Sequence, residues 1–362
     1  MTSPPADEAS AVSRLLRETE RSAVRARNGL RYLAGSEWAP PRPTPSDVVW
    51  SQGTAELRRY RGDSIRFADP VVMFIGLVSR SYILDLHRKN SVARWLLDAG
   101  IDTYLLDWGQ PTAADSVNTL ETYALRYLPR ALRAALQVSG SERVSLLGYC
   151  MGGNLALLAL AAQRLPVRSL VTMATPVDFT QLPGLAGAVS ERDLDPDRLL
   201  DWSGNVPPEY LSAFFRARRP TADIPNFARL WENLWNDEFV ESHQAMARWA
   251  REHVPFPGAA FRQVSDQWLR QNGFMEGRLT LAGRRLDLRD VRCPTFSILA
   301  LRDDLVPPAA ARPIESLLGA EEFSLLELEA GHAGLTTSRK AVGTTMPALQ
   351  RWLVSHNTTI EE

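Results

Sequence analysis

Two cysteines, Cys150 and Cys293, are all that the 362 residues contain. A disulfide framework is therefore excluded, and without a Cys-x-x-Cys pair or a cysteine–histidine cluster no metal site is expected. Lysine is nearly missing too: Lys89 and Lys340 stand alone among 41 basic residues, the rest being arginine. We read that bias as one of genome composition and not as an anion site. A formal net charge of -1 leaves no basic surplus to attract nucleic acid. Long hydrophobic runs are also lacking. The most apolar stretch, Leu155–Ala162, is far too short to span a bilayer, and no basic start followed by an apolar run marks a signal peptide. These absences lead us to expect a protein of a reducing cytoplasm, with no transmembrane segment and no nucleic-acid partner. There is no internal repeat.

What remains is an ordinary globular composition, 45% hydrophobic and 23% charged, long enough for one large domain with an insertion or for two domains. The chain is organised around Arg143–Leu158. Val144–Leu147 is a short apolar strand, Gly148–Gly152 a sharp turn, and Asn154–Gln163 a helix. The turn reads Gly-x-Cys-x-Gly-Gly, the nucleophile-elbow pattern of α/β-hydrolases with Cys150 in place of serine. A residue on so tight a turn needs neighbours without bulk, which Gly148 and Gly152 supply, while Gly153 lets the helix approach the sheet. The helix directs its N-terminal N–H groups at the sulfur, and the amide of Met151 becomes one oxyanion donor. The other reading of Cys150 is a small buried residue of a sheet core.

Around this stretch the chain alternates strands and helices. Val12, Leu15, Leu16, Thr19 and Ala23 follow helical spacing, and the expectation is a helix packed on the domain. Residues 40–45 form a stiff Pro-rich connector. Ala55–Tyr60 and Ser64–Phe67 read as opening antiparallel strands. Val71–Ile75, Thr103–Asp107, the elbow strand and Ser169–Ala174 read as strands of a parallel sheet. Between them lie a helix ending at Gly100 and a long one over Thr119–Leu136. From about residue 180 to 285 the alternation stops, and helical patterns appear at Phe227–Trp235 and Gln244–His253. That length is too great for a loop and reads as a helical cap inserted over the sheet. Pro294–Ala300 and Glu322–Leu328 resume the sheet, and a helix carrying Met346, Leu349, Trp352 and Leu353 closes the chain. The expectation is thus an α/β-hydrolase fold with a mostly parallel, doubly wound sheet and an inserted helical cap. Its parts are an N-terminal helix and connector (1–45), a core (46–179 and 286–362) and a cap (180–285).

Of five histidines, only His332 follows a late strand, in Gly331-His332-Ala333-Gly334. Loops at the C-terminal ends of strands are where α/β sites are built. Asp303, in Leu301-Arg302-Asp303-Asp304-Leu305-Val306-Pro307, is the preferred acid, with Asp304 and Asp178 as alternatives. The order nucleophile, acid, histidine is that of the α/β-hydrolases. His332 would take the Cys150 proton and Asp303 would hold the imidazole tautomer. The backbone of Val78, after the first buried strand, is the second oxyanion candidate. Trp108, Tyr149 and Asp304 are candidate pocket residues. Cys293, ahead of Pro294 at a strand entrance, reads as structural, and the tryptophans of the insertion as core packing. Cysteine in place of serine favours acyl transfer: exchange between two thioesters is nearly energy-neutral, so the acyl group stays activated.

Motifs over about Thr44–Leu353 resemble polyhydroxyalkanoate synthases, in particular the short class III catalytic subunit. They are Pro45–Trp50, Tyr82–Leu86, Leu106–Pro111, Gly148–Gly153, Thr175–Phe179, Asn272–Phe274, Leu301–Pro308 and Gly331–Gly334. The resemblance implies a Cys-His-Asp acyltransferase that takes 3-hydroxyacyl-CoA as substrate, needs no cofactor and extends a polyester held as a thioester on Cys150. It implies that Asp303 helps activate the 3-hydroxyl of the incoming unit. It also implies a second synthase subunit, a homodimer and association with polymer granules. Three positions depart from the family pattern: Asp304 replaces a histidine, Ser79 an asparagine and Ala330 a glycine. Two other readings of the site are a related acyltransferase moving one acyl group to a small alcohol or amine, and a cysteine hydrolase like dienelactone hydrolase.

Overall fold

The computed structural model describes residues 6–34, 42–182, 195–217, 228 and 230–360, with side chains described from residue 17 onward. Eight strands form the central sheet. In chain order they are β1 (Ser46–Gln52), β2 (Ala55–Tyr60), β3 (Phe67–Phe74), β4 (Ile101–Asp107), β5 (Val144–Tyr149), β6 (Val167–Met173), β7 (Thr295–Ala300) and β8 (Phe323–Leu328). In space they run β1-β2-β4-β3-β5-β6-β7-β8. The pairs β1–β2 and β2–β4 are antiparallel, and every later pair is parallel. The opening hairpin differs from the expected one. Its first strand is β1, carrying the Pro45–Trp50 motif, whereas Phe67 already belongs to β3.

The inner strands are largely apolar on both faces because helices cover both. Along β3, Val72 and Phe74 enter one core with the helices α3 (Leu128–Ser139) and α4 (Met151–Ala162). Val71 and Met73 enter the other, with α2 (Val92–Asp98) and the closing helix, which is Met346–Ser355. All four side chains are fully buried, each stabilising the fold by roughly 1.5–3 kcal/mol. The period of two along the strand therefore needs no polar residue on either side. Gly100 adopts φ +85 just after α2, which stops the helix where the sequence predicts. The expected helix over Thr119–Leu136 is observed in two parts, a π-helical stretch Thr122–Tyr127 and then α3. Pro129, which has no N–H to donate, lies just after the π-helical stretch.

The N-terminal helix α1 (Ala6–Leu33) is tied down at its C-terminal end. Asn28 donates to the Leu234 carbonyl and to Asp237 at 2.6 Å each, and Arg27 grips the same carboxylate. Residues 35–41 of the connector lie outside the described residues. Between β6 and β7 the described chain is mainly helical: α5 (Pro208–Ala217), α6 (Asp237–Trp249) and α7 (Gly258–Gln263). Helix α6 starts earlier than its apolar pattern predicts, because the Asn236 side chain caps it by accepting from Phe239 N–H. Residues 183–194 and 218–227, where part of this pattern was read, lie outside the described residues. The tryptophans here do not share one role. Trp268 is buried against Phe179 and Phe274, whereas Trp202 and Trp231 are exposed, so packing does not account for those two.

Candidate active site

Cys150 stands between β5 and α4 at φ 54 and ψ -125, a backbone conformation that costs a residue with a Cβ about 1–3 kcal/mol. Hydrogen bonds on both sides hold it there. Its N–H donates to the Met173 carbonyl at 2.7 Å and its carbonyl accepts from Gly153 N–H at 2.9 Å. The helix begins at Met151, three residues ahead of the expected Asn154, so the amides of Met151 and Gly152 belong to its first turn and have no intrahelical acceptor. The turn closes only because side chains are missing. A Cβ on Gly148 would sit 2.6 Å from the backbone of Gly153, and one on Gly153 would sit 2.0 Å from Thr175 Oγ1.

His332 and Asp303 reach this point from adjacent strands. The pairing of β7 with β8 continues past both strand ends, Leu301 N–H donating to Leu328 and Arg302 N–H to Ala330. Residues 29 apart in sequence thereby meet. His332 Nδ1 lies 2.7 Å from Asp303 Oδ2. The other carboxylate oxygen of Asp303 accepts from the N–H groups of Leu305 and Val306, at 2.8 Å each. The Asp303 side chain has no exposed surface, and that of His332 is 12% exposed. Cys150 also acts on the imidazole, favouring its protonated form. Burial alone lowers the His332 pKa. The Asp303 carboxylate and then the charge on Cys150 outweigh it and push it up to about 10.

The alternatives for the acid separate clearly in space. Asp304 is exposed. Asp178 accepts from Thr180 and, at 3.0 Å, from Asn272 Nδ2. That second contact joins two sequence motifs, because Asn272 Oδ1 in turn accepts from Phe179 N–H, and Phe179 stacks on Phe274. Asp178 thus fastens the inserted segment to the end of β6.

Tyr149 packs beneath the imidazole. It is fully buried, its ring stacks on the imidazole at 5.2 Å, and its hydroxyl donates to the His332 carbonyl at 2.9 Å. Trp108 is likewise a core residue. Its ring packs edge-on against Phe74 and Tyr123, and its Nε1–H donates to the Ile75 carbonyl at 2.7 Å. Residue type alone does not specify that both side chains are buried.

Val78 belongs to the turn after β3. Gly76 in that turn lies so near the elbow that a Cβ would sit 2.5 Å from Met151 Cβ. The inserted segment holds the turn from the opposite side. The Val78 carbonyl accepts from Val254 N–H at 3.2 Å, Ser79 bridges to His253, and the Arg80 carbonyl accepts from Trp249 Nε1–H at 2.8 Å. Sequence reasoning missed these three partners. Nothing in the spacing of 249–254 distinguishes them from any other helix end. Cys293 lies away from this cluster, its thiol pushed up to about 11 by burial.

The alpha/beta hydrolase fold family matches residues 69–337. The poly(3-hydroxyalkanoate) polymerase subunit PhaC of Allochromatium vinosum is 34% identical over 329 residues, 90% of this chain and 92% of that protein. The protein of the same name from Thiocystis violacea is 31% identical over 90% of this chain and 92% of its own length. That of Haloferax mediterranei is 32% identical over 87% of this chain, which spans 65% of that longer protein. On this coverage the chain belongs to the poly(3-hydroxyalkanoate) polymerase family, acyltransferase enzymes built on the α/β-hydrolase fold.

Proposed function

We propose that this chain polymerises 3-hydroxyacyl groups from CoA thioesters into polyhydroxyalkanoate, through a thioester on Cys150. The observation that carries the reading is the Asp303–His332 hydrogen bond of 2.7 Å beside a cysteine held at φ 54 at the head of a helix. Such a group makes a thiolate at the focus of first-turn amides, where a tetrahedral oxyanion would form. His332 Nε2 holds the proton given up by Cys150, and the sulfur attacks the thioester carbonyl. The amides of Met151 and Val78 stabilise the oxyanion. The C–S bond to CoA then breaks, and the CoA sulfur leaves with the proton from His332. Next, the 3-hydroxyl of an incoming 3-hydroxyacyl-CoA gives its proton to His332 and attacks the Cys150 thioester. An ester forms, the Cys150 sulfur is released, and the chain is one unit longer on CoA. A second round of the first step returns it to Cys150 and frees CoA. Exchange between thioesters is nearly neutral, and ester formation from a thioester drives growth.

Asp304, where the family pattern has histidine, does not compete with Asp303 in this reading because it is exposed. No cofactor is required. Among the described residues no helix is long and apolar enough to cross a membrane. A cytoplasmic enzyme that works as a homodimer with a second synthase subunit at the polymer surface completes the proposal. The test gives purified protein 3-hydroxybutyryl-CoA, with and without a partner subunit, and follows CoA release and product mass. CoA release with oligomeric ester is expected, and Cys150→Ser should lower it by at least about 10³-fold. Neither CoA release nor polymer under any condition defeats the proposal. A single-unit ester as sole product would identify a one-step acyltransferase instead.

A further inference from the structure

A groove of about 1310 Å³ opens beside the site, and His332 is part of its lining. That exceeds the roughly 300–1,000 Å³ that ordinary small ligands occupy. Its charge is unbalanced. Six cations line it, Arg88, Lys89, Arg94, Arg302, Arg339 and Lys340, against three carboxylates, Asp98, Glu238 and Glu329. Each carboxylate is already paired: Arg94 with Asp98 at 2.8 Å, Lys89 with Glu238 at 2.5 Å, and Arg302 with Glu329 at 2.7 Å. Arg88, Arg339 and Lys340 keep no carboxylate partner among the described residues, and all three are exposed on the rim. Both lysines of an otherwise arginine-based chain lie on this groove.

We infer that Arg88, Arg339 and Lys340 bind the phosphates of the 3′-phosphorylated adenosine diphosphate end of the CoA donor. This inference rests on the proposed CoA-dependent reaction and names the part of the groove that holds the leaving group. CoA has an apolar reactive end and a polyanionic one, joined by a long flexible arm. The reactive end would reach Cys150, which does not itself line the groove, past His332, which does. The other end needs unpaired cations within reach of that arm, and these three supply them. Covalent placement supports the pairing of the two functions. Arg339 and Lys340 follow His332 through the one-turn helix Gly334–Thr337. Phe239 and His243 of α6, stacked at 6.3 Å, add an aromatic face to the lining where an adenine ring would pack. The cap helix and the histidine loop would thus share one ligand.

The test compares wild type with the triple variant Arg88→Ala/Arg339→Ala/Lys340→Ala and with Arg133→Ala, an exposed α3 residue outside the groove. Binding of 3′-phosphoadenosine 5′-diphosphate is measured by calorimetry at two salt concentrations. Separately, the ratio of kcat/KM for 3-hydroxybutyryl-CoA to that for 3-hydroxybutyryl-pantetheine is determined. The expected result is a salt-sensitive wild-type affinity that falls about 10–100-fold in the triple variant, as three exposed charge–phosphate contacts predict. The ratio should fall by a similar factor, and Arg133→Ala should leave both unchanged. If the triple variant does not fold, the single variants should each lose about 2–5-fold. Equal binding by wild type and variants overturns the inference, as does no binding by wild type, or an equal loss in Arg133→Ala. Nucleotide binding at these residues without any CoA release would defeat the polymerase reading and leave the groove assignment standing. CoA release with an unchanged ratio in the triple variant would do the reverse.

Discussion

Replacing Asp303 by asparagine isolates what its charge does. The carboxylate accepts three hydrogen bonds, from His332 and from the N–H groups of Leu305 and Val306. Asparagine keeps the shape, and its amide oxygen still accepts from both backbone groups. Its amide nitrogen then faces His332 Nδ1 as a donor, so Nδ1 must become an acceptor. The proton moves to Nε2, and the imidazole no longer accepts from Cys150. A wrong tautomer in a comparable triad costs about 10⁴ in kcat, and we expect a loss of that order in CoA release. Stability should show the charge as well. His332 has its pKa raised to about 10, and after burial, which lowers it, Asp303 is the largest cause. A raised imidazole pKa contributes stability that is fully present below the unfolded value near 6.5. That stability is lost as pH rises through the folded value of about 10. Breaking a buried pair of this kind costs about 3–5 kcal/mol. Urea denaturation at pH 6, 8 and 10 should therefore find Asp303→Asn less stable than wild type by a few kcal/mol at pH 6, with the gap closing towards pH 10. Asp304→Asn should change activity by less than about threefold, since exposed charges contribute little. Activity above a tenth of wild type in Asp303→Asn, or its loss in Asp304→Asn, would refute the reasoning.

Three further outcomes follow from the same geometry. Gly153→Ala places a methyl 2.0 Å from Thr175 Oγ1 and should destabilise the protein by about 1–3 kcal/mol in thermal or urea melts. Because the three nearest atoms all belong to the Thr175 side chain, Thr175→Gly should recover part of that loss in the double variant. Tyr149→Phe leaves the stack on His332 but strips its carbonyl of a donor. It should lower stability by about 1–3 kcal/mol, with kcat reduced more than KM is changed. With Cys293 pushed up to about 11 by burial, its thiol stays protonated at neutral pH. Iodoacetamide at pH 7 should then label Cys150 first, as read by peptide mass, with Cys293 reacting only as the pH approaches 11. Equal rates at pH 7 would place Cys150 in an unactivated environment.

Local patterns were enough for the parts of this molecule that are themselves local. The Gly-x-Cys-x-Gly-Gly turn is legible because strand, turn and helix are contiguous and small residues are needed at fixed offsets from Cys150. The inner strands β3 to β7 are legible because a sheet covered on both faces is written as mostly apolar runs. The first strand was misplaced because β1 is a half-exposed edge with a register shift between Val48 and Trp50, so it lacks such a run. Folding alone selected among Asp303, Asp304 and Asp178. All three follow strands, and only the parallel pairing of β7 with β8 decides which carboxylate reaches the imidazole. Folding also turned Tyr149 under His332 and Trp108 into the core. It gathered cations from residues 88–94, 302 and 339–340 into one groove. Neighbouring positions on a tight turn point in opposite directions, and residues far apart in sequence share a surface only once the sheet is ordered. The chemistry at the sulfur was therefore determined by sequence over a few residues, whereas its acid, its supports and its charged approach depend on contacts that no short stretch contains.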